Sequence, residues 1–249
     1  MLDNKRVLDA LFDAAPESGA EEWDNVGLIV DCGNEYDSVL VALDLTFPVI
    51  SEAESLGCGA VVCHHPAIFH GIKCISKNDP VFEAVKKGIS VFAAHTNFDN
   101  ADPGVNTVLA DLLSLEDVAP LGDQPTGKMG SVPETSALKF AEKVKEALGV
   151  SFVEVADAGR PVKKVAVIGG SGGSMYRTAL EAGCDLLVTG ECRHNEAIEA
   201  VDNGLSIISA GHFETESPSM QLLRDMLADR LPDARIILSS ASASPFKRV

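Results

Sequence analysis

The sequence predicts an α/β fold built from two similar layered α/β halves, with largely parallel or mixed sheets and an internal duplication. Two observations predict it. Short apolar runs of strand length alternate with stretches of helical character, as in βαβ architectures. The order of elements then recurs: residues 83–91 read EAVKKGISV and residues 199–207 read EAVDNGLSI, each a helix end, a glycine and a strand start.

The first element is a helix over Met1–Ala15, with Val7, Leu8, Leu11 and Phe12 on one side. It lacks the uninterrupted apolar stretch of a secretory signal. Val39–Leu43 is the first clear strand, followed by Ala60–Cys63 and Ile89–Ala94. The helix before Ile89 closes at Gly88, a residue type suited to the left-handed cap. Val165–Ile168, Leu186–Val188 and Leu205–Ile208 repeat the series, with Gly204 in the place of Gly88. Ile236–Leu238 is the last strand and is expected to pack on the first half. The divide is expected in the Gly/Pro-bearing stretch from Leu121 to Pro133, giving a first half over 1–122 and a second over 123–249.

The chain of 249 residues carries 20 Lys and Arg against 37 Asp and Glu, a formal charge of −17. Such a surface repels phosphate backbones and anionic membranes, which excludes direct nucleic-acid binding and membrane association from the expected functions. No apolar run approaches bilayer-spanning length. Six cysteines, at positions 32, 58, 63, 74, 184 and 192, form no CxxC pair. They read as small buried side chains in a reducing compartment, so the expected location is cytoplasmic.

Of six histidines, four stand just past an apolar strand. His64 and His65 follow Val-Val-Cys, His95 follows Phe-Ala-Ala, and His212 follows Ile-Ile-Ser-Ala-Gly. Ligands of open α/β sheets bind outside the carboxyl ends of strands, where these side chains are delivered. Two acids extend the pattern: His95-Thr-Asn-Phe-Asp99 and His212-Phe-Glu-Thr-Glu216 share the form His-x-x-x-acid in matching places of the two halves. In a helix, positions i and i+4 share one face. Imidazole and carboxylate together suit zinc, iron or manganese. His64 and His65 are expected to splay after the strand and reach one ion each. The pool of His64, His65, Asp99, His212 and Glu216 is large enough for two divalent ions sharing a carboxylate. Glu191, ending the strand before it, and His194 are expected as partners of the ligands or as an acid/base pair. The loop Gly169–Ser174 offers amides that could cradle a phosphate, although a plain tight turn is the simpler reading. Asp44 and Thr46 end the matching strand of the first half.

At these residues the sequence resembles the NGG-interacting-factor-three-like family of dinuclear metal proteins, several of which carry the name type 2 GTP cyclohydrolase I. The resemblance rests on Glu22-Trp-Asp-Asn-Val-Gly-Leu28, Cys63-His-His-Pro66, His95-Thr-Asn-Phe-Asp99 with Gly104-Val-Asn106, Thr189-Gly-Glu191 with His194, and Gly211-His212 with Glu216. It implies that His64, His65, Asp99, His212 and Glu216 are the metal ligands, and that the chain forms a homohexamer. Asn195 stands where some members carry a further histidine. The implied activity is metal-dependent hydrolysis of a nucleotide such as GTP, with attack at the imidazole carbon of the purine and release of formate. His95, outside the ligand set, would relay a proton, and Lys128 or Arg193 would meet the triphosphate. The alternative is a non-enzymatic metal carrier or a metal-dependent regulatory protein, which needs the same ligands and no substrate pocket.

Overall fold

A computed structural model of the chain describes residues 1–123 and 126–247. The chain runs α1 (Asn4–Ala14), β1 (Gly27–Val30), β2 (Ser38–Ala42), α2 (Phe47–Ser55), β3 (Ala60–Cys63), α3 (Pro80–Lys86), β4 (Ser90–Ala93), α4 (Thr96–Asp99) and α5 (Val105–Leu112). It continues through β5 (Glu116–Pro120), β6 (Lys128–Ser136), α6 (Ala137–Leu148), β7 (Glu154–Ala156), β8 (Pro161–Ile168), α7 (Tyr176–Glu181) and β9 (Leu186–Thr189). It ends with α8 (His194–Asp202), β10 (Ser206–Ser209), α9 (His212–Glu216), α10 (Ser219–Arg230) and β11 (Arg235–Leu238). No described helix is long and apolar enough to cross a membrane.

The first compact unit holds Met1–Gly104 and Ser219–Ala243. Its sheet has the order β1-β4-β3-β2-β11, parallel except for the antiparallel edge strand β1. Every residue of β2, β3 and β4 is buried, as strands covered on both faces require. On one face Leu40, Ala42, Val61, Cys63 and Val91 pack against Val49 and Ile50 of α2 and Val81 and Ala84 of α3. Cys63 is thus a small core side chain, and burial pushes its thiol well above the usual range.

The second unit holds the described residues of Val105–Pro218 and residues 244–247. Its sheet has the order β5-β6-β8-β9-β10-β7, with β8, β9 and β10 parallel and β7 antiparallel at the edge. Val165 and Val167 face one core with Leu109 of α5 and Leu113 just after it, while Ala166 and Ile168 face the other with Tyr176 and Ala179 of α7.

The expected repeat is present in the topology. The order β1-β4-β3-β2 of the first unit recurs as β7-β10-β9-β8 in the second, with the same directions. Val39 pairs with Ala60 as Val165 pairs with Leu186, and Ala60 pairs with Ser90 as Leu186 pairs with Ser206. Gly88 and Gly204 both adopt positive φ, and the residues after them, Ile89 and Leu205, donate to Ala84 and Ala200 five positions back. The sequence reading missed β1, β5, β6 and β7, which are short edge strands or irregular.

The units divide at Gly104, upstream of the expected break between 122 and 123. Each repeat ends with a helix and strand that join the other unit: α5 and β5 belong to the second unit, α10 and β11 to the first. The apolar face of α5, Leu109 and Ala110, packs in the second unit's core. The expected linker from Leu121 to Pro133 instead supplies part of β6, and Gln124 and Pro125 within it lie outside the described residues. The last strand, β11, pairs in parallel with β2 of the first unit.

Candidate metal centre

In the first unit, β2 and β3 deliver the paired histidines. Ladder bonding continues past Cys63: the His64 amide donates to Ala42 and Leu43, and the His65 amide donates to Leu43. His64 is fully buried, with Nδ1 2.8 Å from the carbonyl oxygen of Ala94. His65 Nδ1 lies 2.7 Å from Oδ1 of Asp44, and its side chain is 25% exposed. The rings tilt by 50° at 4.9 Å, held by different acceptors. His95 caps α4, and its Nδ1 lies 2.8 Å from Oδ1 of Asp24. The other oxygen of Asp24 accepts from the amide and hydroxyl of Thr96. Burial works to raise the Asp24 pKa, but hydrogen bonds from His95 and Thr96 outweigh it and hold the carboxyl well below the usual range. Asp99, the last residue of α4, stands 3.6 Å from Nε2 of His64. His64, His65 and His95 each offer a ligand atom, all within 4.8 Å of one another.

In the second unit, His212 opens α9 and Glu216 closes it, with Nε2 and Oε2 3.1 Å apart across one turn. Nδ1 of His212 stands 3.5 Å from Oε1 of Glu191. The Glu216 carboxylate is 5% exposed and seats against the glycine loop. Gly170 has φ of +62°, and a Cβ there would lie 2.0 Å from Oε1 of Glu216, so only glycine leaves the carboxylate its place.

A shared chemical feature runs through these histidines. A carbonyl or carboxylate can only accept, so a neutral ring facing one through Nδ1 carries its proton there and keeps a lone pair at Nε2. His64 faces Ala94, His65 faces Asp44 and His95 faces Asp24, whereas His212 has Glu216 3.1 Å from Nε2 and Glu191 3.5 Å from Nδ1. Oxygen behind Nδ1 fixes ring orientation and raises ligand basicity, as behind metal-bound histidines generally. In each unit, imidazoles stand with a carboxylate, Asp99 in the first and Glu216 in the second, and donors of these types suit a divalent cation such as zinc, iron or manganese.

One expectation about placement changes, and the simpler reading of the glycine loop holds. The parallel between His95–Asp99 and His212–Glu216 is offset by one residue. His95 corresponds to the cap Gly211, and Thr96 to His212, because β4 and β10 share one register. The ring of His95 turns back to Asp24, while Asp99 reaches His64. The glycine loop is a packed turn. The amides of Gly169, Gly170, Gly172 and Gly173 donate to Asn106, Thr215, Thr189 and Glu191, so none of these four is left for a phosphate.

Lys128 is buried in β6, and Arg193 is exposed at the cap of α8, where its amide donates to Glu196. His194 opens α8 as an exposed side chain, with no contact among the described residues that brings it to His212. The sequence alone gives no role to Asp24, Ala94 or Thr215, and none to Gly170 as the seat of Glu216. The signature around Trp23 marked the neighbourhood of Asp24, but its partner is 71 positions away.

The model of the Duf34/NIF3 (NGG1p interacting factor 3) family matches residues 2–245 of the chain. A protein of Streptomyces coelicolor called GTP cyclohydrolase 1 type 2 homolog is 34% identical, with 96% of this chain and 91% of that protein covered. One of the same name from Clostridium perfringens is 29% identical over 97% of both chains. The crystal structure of a Bacillus cereus protein related to NIF3 superposes with a TM-score of 0.92 at 24% identity, covering 100% of this chain and 99% of the other, which shows the shared fold.

Proposed function

The chain belongs to the Duf34/NIF3 family, and from that membership and the histidine geometry we propose that it is a dinuclear metal-dependent hydrolase acting on a nucleotide such as GTP. The observation that carries this reading is the oxygen acceptor behind Nδ1 of His64, His65 and His95, which leaves Nε2 of each as the donor. The proposed ligands of two divalent ions per chain are His64, His65, Asp99, His212 and Glu216. Such ions supply a water of lowered pKa and polarise the carbon under attack.

The chain's own residues then have separable tasks. Asp44 and Glu191 orient His65 and His212 from behind. Gly170 and Thr215 seat the carboxylate-bearing end of α9. His95 is the residue proposed to carry a proton. Its Nε2 can accept one while the ionised, buried Asp24 stabilises the imidazolium that forms. The names of the Streptomyces and Clostridium relatives support a purine nucleotide as substrate.

Two observations favour the second reading, a metal carrier. Four amides of the glycine loop are already spent, and the formal charge of −17 repels a triphosphate. Formate release from GTP by zinc-, iron- or manganese-loaded protein, set against a His64→Ala control, tests the two. Turnover above the control supports the hydrolase. Tight metal uptake with no turnover on any metal rejects it in favour of the carrier.

A further inference from the structure

Beside the histidine cluster of the first unit stand two aromatic side chains that the proposed mechanism leaves unused. Trp23, the single tryptophan of the chain, is 56% exposed, and Phe69 is 39% exposed. Their ring centroids are 5.5 Å apart with planes inclined at 46°. Both stand near-perpendicular to the ring of His95, Trp23 at 6.2 Å and 73° and Phe69 at 6.0 Å and 77°. Neither is loosely held. The next residue, Asp24, is tied to His95 and Thr96, and the side chain of Asn25 donates to the carbonyl of Ile68. The two segments that carry the rings are therefore pinned to each other and to α4.

We propose that Trp23 and Phe69 form a stacking platform for the planar heteroaromatic ring of the substrate, against the edge of the His64, His65 and His95 cluster. The proposal rests on the nucleotide reading above and adds the residues that would bind the base. Exposed aromatic faces next to fixed polar groups match the chemistry of a ring that is apolar on its faces and polar at its edge. Stacking requires no charge from the protein, which suits a chain so acidic. An aliphatic partner surface would gain nothing from the perpendicular histidine, whereas a bound heteroaromatic edge would lie within reach of its Nε2.

Because Trp23 is alone, its fluorescence reports this platform without a substitution. The experiment titrates the zinc-loaded full chain with GTP, guanosine and inorganic triphosphate, and follows Trp23 emission corrected for nucleotide absorbance. Calorimetry measures binding in parallel, and formate is assayed in the same samples. The expected result is quenching by GTP and guanosine but not by triphosphate, and Phe69→Ala weakening guanosine binding by ~10-fold or more. GTP binding in calorimetry with unchanged Trp23 emission overturns the platform, as does unchanged affinity in Phe69→Ala. Absence of guanosine binding, or emission that follows protein dilution and not nucleotide, also overturns it, the latter in favour of a second copy covering the rings. The two readings fail separately: formate release without a Trp23 response removes the platform alone, and quenching by guanosine without formate removes the hydrolase alone.

Discussion

Asp24 and His95, 71 positions apart in sequence, meet through a 2.8 Å hydrogen bond between Nδ1 of the ring and a carboxylate with no exposed surface. The same carboxylate receives the first amide of α4, so one side chain fixes both the ring and the helix that carries Asp99. Asp24→Asn keeps the volume and removes the charge, and the loss of its charge-assisted bonds should cost ~2 kcal/mol. The pH dependence has a definite sign. Burial alone would raise the Asp24 pKa, but the bonds from His95 and Thr96 hold it below the usual carboxylate range. A carboxylate depressed in the fold stabilises it above the unfolded pKa, near 4, and that contribution is lost as pH falls towards the folded value. Urea unfolding should show native stability dropping below about pH 4 more steeply than that of Asp24→Asn. Parallel slopes would remove Asp24 as the source.

Gly170→Ala tests how the second unit seats Glu216. The added Cβ would fall 2.0 Å from Oε1, at a φ of +62° that side chains other than glycine adopt at a cost of ~1 kcal/mol. The carboxylate must move away from Nε2 of His212. Metal per chain, measured by elemental analysis, should fall about as far as in Glu216→Gln, with only a modest drop in thermal stability. Full metal content in Gly170→Ala would mean that Glu216 has room to spare.

Asp44→Asn and Glu191→Gln should both weaken metal binding, and unequally. Loss of a carboxylate behind a ligating histidine lowers affinity by ~10–100-fold. Asp44 lies 2.7 Å from His65, while Glu191 lies 3.5 Å from His212 with its side chain 53% exposed. The Asp44 change should therefore be the larger in competition titrations against a chelator. The reverse order would show that Glu191 acts on the metal or substrate directly.

What the sequence made legible followed from local pattern. Apolar runs marked the three parallel strands of each repeat, and residues just past their ends marked His64, His65 and His212. Three of the four edge strands, β1, β5 and β7, and the irregular β6 left no such mark. Val30 to Leu28 and Ser131 to Thr135 carry register shifts that break the alternation a reader could follow. The unit boundary was illegible for a different reason. Helices α5 and α10 carry ordinary apolar faces, and nothing in Leu109 or Leu223 says which core receives them. The spacing of His95 to Asp99 satisfied an i, i+4 pattern, but the partner of its ring, Asp24, comes from a distant loop that no local pattern shows.

Cys63 should be chemically silent despite its place beside His64. It packs among Ala42, Val61 and Val91 with its thiol protonated. In native protein treated with iodoacetamide, mass spectrometry should find Cys74, which is exposed, alkylated and Cys63 spared. Cys63→Ala should keep its metal and lose roughly 1–2 kcal/mol of stability for the sulfur removed from a packed site. Loss of metal in that variant, at equal folded fraction, would make the sulfur a ligand.

His95→Gln separates the hydrolase from the carrier. The glutamine can still donate to Asp24, so α4 and Asp99 should stay in place, but no imidazole remains to take a proton. If His95 carries a proton in catalysis and lies outside the ligand set, metal content should stay near native while formate release falls by ~10²–10⁴-fold. The geometry also permits a different outcome, since His64, His65 and His95 all bring ligand atoms within 4.8 Å of one another. Metal content falling in step with activity would make His95 a third imidazole donor of the first unit. Unchanged metal uptake and release, in a native protein that never yields formate, would leave Asp24 and His95 as a structural clamp on α4, and the carrier as the surviving function.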